Sequence, residues 1–468
     1  MTDTTLDARA ARRDTAFLGH PAGLGWLAAA EFWERFSYYG MTTLLVLYMT
    51  HSLLQPGHVE HIWGFVPFRH LIESVTGKLS PQALASQVYG LYAGLVYLTP
   101  IAGGLLADQV TGRTRAVALG AGLMALGHFL MAFDASFLLA LLCLLLGVGC
   151  FKGNIASQVG DLYRQDDPRR ADAFQIYLFA VQLAVIFAPL VCGRLAVWYD
   201  WHWGFGAAGV GMLIGLVIYL AGRPTLPEEE RTRRTAGAAP KPVHTVTRRE
   251  WAALAVLVAL LPVLAVGQVG NGEIFNAYLV WGEANYQLGF FGMTMPITDL
   301  LAYGSIISAG TIASSAYFWR WWGRHWREPE EISKMTIGVA IGAAAPLLLV
   351  AASALIAASR QKAGLGWAVA FEIVNDFGFA NVFPVGLALY SRAAPRHLVG
   401  AVIGLYYLHL FFGNLLVGWL GGLLEKMPAT SFWLLHVGLM LAAGAILLLV
   451  RLVFGRLLAP AYAAPETA

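Results

Sequence analysis

Residues 31–40 read EFWERFSYYG, inside a stretch, 24–50, that is otherwise apolar and long enough to cross a bilayer as one helix. A charge at the centre of such a helix costs about 2.5–3.5 kcal/mol on insertion scales. Glu31, Glu34 and Arg35 together would cost on the order of 8–10 kcal/mol if they faced lipid. They must therefore face protein or water. At 3.6 residues per turn, Glu31, Glu34, Arg35, Tyr38 and Tyr39 fall at i, i+3, i+4, i+7 and i+8, a single stripe. Glu31 and Arg35 are placed to pair along the helix, and both tyrosine hydroxyls can donate to a carboxylate. With two acids and one base, one acid is left to titrate or to meet a cation elsewhere. The stripe either locks helices together or handles charge along a wet path, and ionisable groups inside membrane helices favour the second.

The rest of the chain repeats the membrane signal. Of 468 residues, 58% are hydrophobic and 13% charged, against about 25% charged in soluble domains. About twelve apolar blocks have spanning length: 24–50, 84–107, 114–133, 136–160, 172–198, 203–221, 251–282, 297–322, 332–358, 365–391, 398–424 and 431–455. The fold expected is an all-α membrane protein of twelve transmembrane helices in two six-helix bundles, residues 1–221 and 251–468. A polar linker, 222–250, rich in Pro, Arg and Ala, joins them.

Lys/Arg bias sets the orientation. Basic residues gather before the first span (Arg9, Arg12, Arg13) and after the second (Arg113, Arg115), fourth (Arg164, Arg169, Arg170), eighth (Arg320, Arg324, Arg327, Lys334) and tenth (Arg392, Arg396). Both termini and the linker are expected in the cytoplasm, with the spans in the inner membrane. The opposite loops hold few positive charges. The long loop at 51–83 is amphipathic, so a short surface helix is expected there. The polar N-terminus lacks an apolar h-region, and no cleavable signal peptide is expected. Net charge is +3, too small to indicate nucleic acid. Cys143, Cys150 and Cys192 all fall in apolar spans, which argues against a disulfide framework.

Three further features carry chemistry. Lys152 is a cation inside the fourth span, so it must meet a carboxylate or lie deprotonated; a structural pairing with Glu31 or Glu34 is one option. In ADQVTGRTR, 107–115, Asp108 can cap a neighbouring helix or pair with Arg113 as a cytoplasmic latch; the plainer reading is a basic loop. His58, Glu60, His61 and His70 lie in the 51–83 loop, where a solvated loop outweighs a metal site because no further ligand is in register. Trp198, Trp201 and Trp203 read as an interfacial belt. No phosphate-binding loop, dinucleotide fingerprint or nucleophile elbow is present, so neither an enzyme nor a cofactor is expected.

The pattern ExxERFxYYG, formed by Glu31, Glu34, Arg35, Phe36, Tyr38, Tyr39 and Gly40, resembles the signature of the proton-coupled oligopeptide transporter family of the major facilitator superfamily. The resemblance continues through YLTPIAGGLLADQVTGRTR (97–115), FKGNIASQVGDLY (151–163), WGFGAAGVGM (203–212), FPVGLALYSRAAP (383–395) and GNLLVG (413–418). It implies proton-coupled import of di- and tripeptides by alternating access, through a monomer whose partners are small peptides, protons and lipid. It implies that Arg35, Tyr38, Tyr39 and Lys152 bind the peptide carboxylate, with Tyr97, Asn154, Gln182, Asn381 and Tyr406 as further lining residues. Proton coupling is carried over to Glu31, Glu34, Arg35 and Lys152, and gating to Asp108 and Arg113.

Departures accompany the likeness. Thr42 stands where many relatives have Arg, Gly153 where they have Pro, Gln109 where they have Arg, Gln182 where they have Asn, and Tyr406 where they often have Trp. Gly90 matches a histidine that some mammalian relatives use for protons. Val280 and Trp281 replace a Glu-Gln pair, and Phe379 replaces an acid five residues before Pro384. Glu273 and Glu372 each lie seven residues before a vacated position, on the same helix face two turns away. They are the expected substitutes for proton or amine handling, with Glu283 and Asp376 as further options. The alternative is a facilitator for another small carboxylate, such as a modified amino acid.

Overall fold

The computed structural model describes residues 14–164, 167–227, 246–290, 293–395 and 398–458. Arg9, Arg12, Arg13, Arg396 and linker residues 228–245 lie outside the described residues. The helices are α1 (Ala22–Tyr48), α2 (Phe65–Thr76), α3 (Pro81–Leu106), α4 (Arg113–Leu130), α5 (Phe137–Asp161), α6 (Arg169–Ala188), α7 (Arg194–Trp198), α8 (Trp201–Gly222), α9 (Arg248–Gly267), α10 (Val269–Gly272) and α11 (Ala277–Asn285), followed by α12 (Asp299–His325), α13 (Glu331–Ser359), α14 (Gly366–Ala393), α15 (Val399–Gly421) and α16 (Ala429–Leu458).

Each expected span coincides with a helix or a run of helices. Nine of these helical stretches among the described residues are apolar and long enough to cross a membrane on composition alone. The spans on α1, α4 and α12 fall outside that set, and α1 is the one that carries Glu31, Glu34 and Arg35. The short helix expected in the 51–83 loop is α2, which buries Phe65 and exposes Val66, Leu71 and Val75. A small antiparallel hairpin, β1 (Gly289–Phe290) with β2 (Met293–Thr294), adds strand to what was read as an all-helical chain. The three cysteines are free and buried.

The seventh span, read as one block at 251–282, is broken. Helix α9 ends at Gly267, α10 lasts one turn, a tight turn covers Glu273–Phe275, and α11 starts after Asn276. Gly267, Gly270 and Gly272 weaken the helix locally. Asn276 leaves helical geometry (φ −128°, ψ −112°), and its side chain donates to the Val417 carbonyl at 3.1 Å.

Contacts group the chain into two compact units, Met1–Val75 with Leu98–Ala238, and Thr76–Tyr97 with Ala239–Ala468. Sequence order placed all of α3 within residues 1–221, but its residues 81–97 pack with the second unit. In the first unit α1 packs on α6 and α8, and α4 packs on α5. In the second, α13 packs on α14 and α16 around a core that includes Leu257, Leu264, Val339, Tyr390, Met440 and Leu447. Small residues let membrane helices approach closely: a Cβ at Gly378 would stand 2.6 Å from the Gly342 Cα.

The same device joins α3 to α15 within the second unit. A Cβ at Gly90 would lie 2.4 Å from the Asn414 carbonyl oxygen and 2.6 Å from the Gly418 Cα. No side chain fits there, which explains why this position carries glycine rather than histidine. Gly90→Leu is expected to force the helices apart at a cost of about 1–3 kcal/mol, read as a lowered thermal unfolding midpoint in detergent. Gly104→Ala, whose Cβ meets nothing within 4 Å, serves as the control without a steric clash.

Candidate functional site

The stripe on α1 folds inward, as its periodicity requires. Glu34 is fully buried, and Glu31 and Arg35 are each 4% exposed. The Arg35 guanidinium grips Glu34 with two prongs: Nε donates to Oε2, and Nη2 donates to Oε1 at 2.6 Å. Its Nε also lies 3.4 Å from Glu31 Oε1, so one cation bridges two carboxylates. The guanidinium carbon sits 4.9 Å from the centre of the Tyr38 ring, which in turn packs edge-on against Tyr39. Tyr38 and Tyr39 are half-buried.

Lys152 on α5 is half-buried and lies within electrostatic reach of Arg35, Glu34 and Glu31. From α6, the Tyr177 hydroxyl interacts with Glu31. Sequence reading missed Tyr177; a lone hydroxyl in an apolar span was the available signal. Glu31 Oε2 is buried without a close hydrogen bond among the described residues. The cluster thus joins two carboxylates, a guanidinium and an ammonium on one side of α1, α5 and α6. It can bind an anion at Arg35 and Lys152 and can exchange partners when a proton reaches a carboxylate.

On its other side α1 offers Phe32, Trp33 and Phe36 to an apolar groove shared with Phe129, Phe187 and Trp203. That surface suits acyl chains and holds none of the cluster.

Several expected lining residues have other tasks. Asn154 is buried and donates to the Cys150 carbonyl at 2.8 Å, tying it to its own helix. Asn381 is 5% exposed and bonded through both ends of its amide: its Oδ1 accepts from Trp319 Nε1 at 2.6 Å and Ser315 at 3.2 Å, and its Nδ2 donates to the Phe377 carbonyl. Tyr406 is fully buried and donates to the Phe383 carbonyl at 2.7 Å. These three were expected to line a substrate path; in this conformation they brace helices, because a polar group in an apolar bundle first satisfies its own hydrogen bonds. Tyr407, next to Tyr406, is half-buried. Gln182 and Tyr97 are half-buried, Gln182 in the first unit and Tyr97 in the second.

In the second unit, Glu372 and Asp376 lie one turn apart on α14, each 4% exposed. Glu372 Oε1 and Asp376 Oδ2 have no hydrogen-bond partner among the described residues. Glu372 packs against Gly304 of α12, and Asn375 donates to Asn271 Oδ1 at 3.0 Å. Glu273 is fully buried and meets His436, a residue that sequence reading passed over. The vacated position Phe379 stacks on Phe383 at 5.2 Å, so an aromatic pair occupies the place where an acid was expected.

In the loop expected to form a latch, Arg113 donates to Asp161 at 2.6 Å and lies only 3.9 Å from Asp108. The stronger partner is therefore one that the loop motif does not contain. Nearby, Arg169 bonds Asp167 and Asp14, and this guanidinium holds the Asp167 carboxyl below its ordinary value. In the 51–83 loop His58 is not free: it bonds Asp134 at 2.6 Å. No group of three or more metal-ligating side chains occurs among the described residues.

Residues 114–251 match a family profile described as POT family. The chain is 27% identical to the peptide transporter YePEPT of Yersinia enterocolitica subsp. palearctica serotype O:3, over 93% of this chain and 94% of that protein. It is also 27% identical to a di-/tripeptide transporter of Lactococcus lactis subsp. cremoris, over 85% of this chain and 88% of that one. A crystal structure of a peptide transporter POT in complex with sulfate superposes with a TM-score of 0.80 at 24% identity, covering 98% of this chain and 99% of that chain.

Proposed function

We propose that the chain is a transporter of the POT family and that it imports di- and tripeptides together with protons by alternating access. The observation that carries this reading is the α1 cluster: Arg35 held between buried Glu31 and Glu34, with half-buried Lys152, Tyr38 and Tyr39 beside it. A peptide carboxylate meets Arg35, Lys152 and Tyr39 through charge-assisted hydrogen bonds, strong where bulk water is excluded. It competes with Glu31 and Glu34 for the two cations. A proton on the acid that loses its partner keeps the buried charge balanced, so substrate and proton enter the cluster together. Glu273 and Glu372 take proton roles in the second unit, and Asp108 with Arg113 latches the cytoplasmic side. The protein works as a monomer in the inner membrane with both termini in the cytoplasm.

A second reading rests on Val280 and Phe379. With no acid at either position, the peptide amine goes unread, and the cargo is another small carboxylate.

The test is uptake of labelled dialanine into proteoliposomes with and without an inward proton gradient. The expected result is accumulation that requires the gradient, with N-acetyl-dialanine a poor competitor. Equal competition by the acetylated peptide supports the second reading, and absence of both accumulation and exchange overturns the first.

A further inference from the structure

The break in the seventh span is held by two ionisable side chains. His436 of α16 and Glu273, in the turn between α10 and α11, are both fully buried, and His436 Nε2 lies 3.1 Å from Glu273 Oε1. The other ring nitrogen, Nδ1, lies 2.9 Å from the Phe432 carbonyl oxygen, which can only accept. Nδ1 therefore carries a hydrogen. Nε2 is then either bare, facing a protonated Glu273, or protonated, facing a carboxylate. Both arrangements hold the same one additional proton and leave the pair neutral overall, as burial demands. Without that proton, two lone pairs would oppose each other across 3.1 Å.

Glu273 has a second attachment. Its Oε2 accepts the Ala277 backbone N–H at 3.1 Å, so the same carboxyl caps the first turn of α11. The protonation of one pair is thus wired to the seating of a half-helix. Other buried titratable groups on elements packed around this turn are Tyr278 on α11, Glu372 and Asp376 on α14, and Tyr406 and His409 on α15. The bonds described for Glu273 and His436 run to each other, to Phe432 and to Ala277, so the pair's own members set its charge balance.

We propose that Glu273 and His436 form a proton site that sets the geometry of the broken seventh span. One proton bridges the pair; when it leaves to water, Glu273 and bare Nε2 repel and the cap on α11 is released from α16. What the proton does for transport rests on the proton-driven reading above; that the pair holds it rests on geometry alone.

Glu273→Gln tests the proposal with little disturbance. The glutamine carbonyl can still accept from Ala277, and its amide can donate to Nε2, but no proton can leave. A one-unit inward pH step supports about tenfold accumulation for each coupled proton. Glu273→Gln is expected to lose about that factor in gradient-driven dialanine accumulation relative to gradient-free exchange; wild-type accumulation in the variant overturns the proposal.

A transport-independent measurement runs beside it on the wild-type protein in nanodiscs, with 15N-labelled histidine and the His436 signals assigned by their absence in His436→Asn. The expected result is Nδ1–H throughout, with an Nε2 signal that shifts across the pH range as the bridging proton is lost, whichever of the two atoms carries it. A fixed Nε2–H with bare Nδ1 overturns the proposal, even if Glu273→Gln fails to fold. If wild type shows no gradient-driven accumulation, the proton-driven reading fails and the histidine spectrum alone decides whether the pair is a proton site.

Discussion

Lys152→Ala abolishes gradient-driven accumulation of dialanine in proteoliposomes: that is the first expected result, and the reason is charge. Lys152 is a half-buried cation beside Glu31, Glu34 and Arg35. Removing it takes away one of two cations offered to a substrate carboxylate. A hydrogen bond to a charged group contributes about 1.5–3 kcal/mol, so substrate binding weakens by about 10- to 150-fold. The loss extends beyond binding. With Lys152 present, the cluster holds two carboxylates against two cations; without it, Arg35 alone must balance Glu31 and Glu34. The substrate carboxylate would then bring a third negative charge to one guanidinium. Lys152→Arg is expected to restore only part of the activity, because a planar fork replaces a compact point charge. Wild-type accumulation by Lys152→Ala would remove this residue from the mechanism.

The second large effect falls on Arg35, and it divides stability from transport. Arg35→Ala leaves Glu34, fully buried and held by two guanidinium bonds, without its counter-charge. Breaking a buried pair from one side costs about 3–5 kcal/mol, enough to lower the unfolding midpoint clearly and to reduce the yield of folded protein. Arg35→Lys keeps a charge but cannot grip both Glu34 oxygens, so it is expected to lie between Ala and wild type in stability and to remain transport-deficient. Combining Arg35→Ala with Glu34→Gln removes the orphaned charge. That double variant is expected to regain most of the lost stability and none of the transport, measured by tryptophan-fluorescence melting and by dialanine uptake. A double variant no more stable than Arg35→Ala would show that Arg35 matters for packing rather than for pairing.

Much of this protein was legible before any coordinates. A spanning helix must be long and apolar, so twelve blocks declared themselves by length. A charged stripe at helical spacing can only be buried on one face, so Glu31, Glu34 and Arg35 pointed inward by periodicity alone. What stayed hidden were partners distant along the chain. Tyr177 reaches Glu31 from another span, Asp161 takes Arg113 across 48 residues, and His436 meets Glu273 across 163. Periodicity describes a helix's faces and says nothing about which helix will lie against them.

The same limit explains the residues read differently. Asn381 and Tyr406 are polar groups on apolar helices, and the family resemblance made them candidates to line a path. Whether such a group faces water or a neighbouring carbonyl depends on how helices pack, and both found protein partners. The seventh span was read as one block because apolar residues flank 267–276 on both sides, although Gly267, Gly270, Gly272 and Asn276 end it in space. Likewise, Gly90 marked a departure in sequence, and only the crossing with Gly418 supplied its cause. The sequence by itself determined the helical, membrane-spanning character of the chain, the inward stripe and the charges that it must balance, because the bilayer penalises any other solution locally. The tertiary structure alone decided which charges meet, where a helix breaks and which half of α3 joins which unit, because those follow from contacts between segments that no local rule connects.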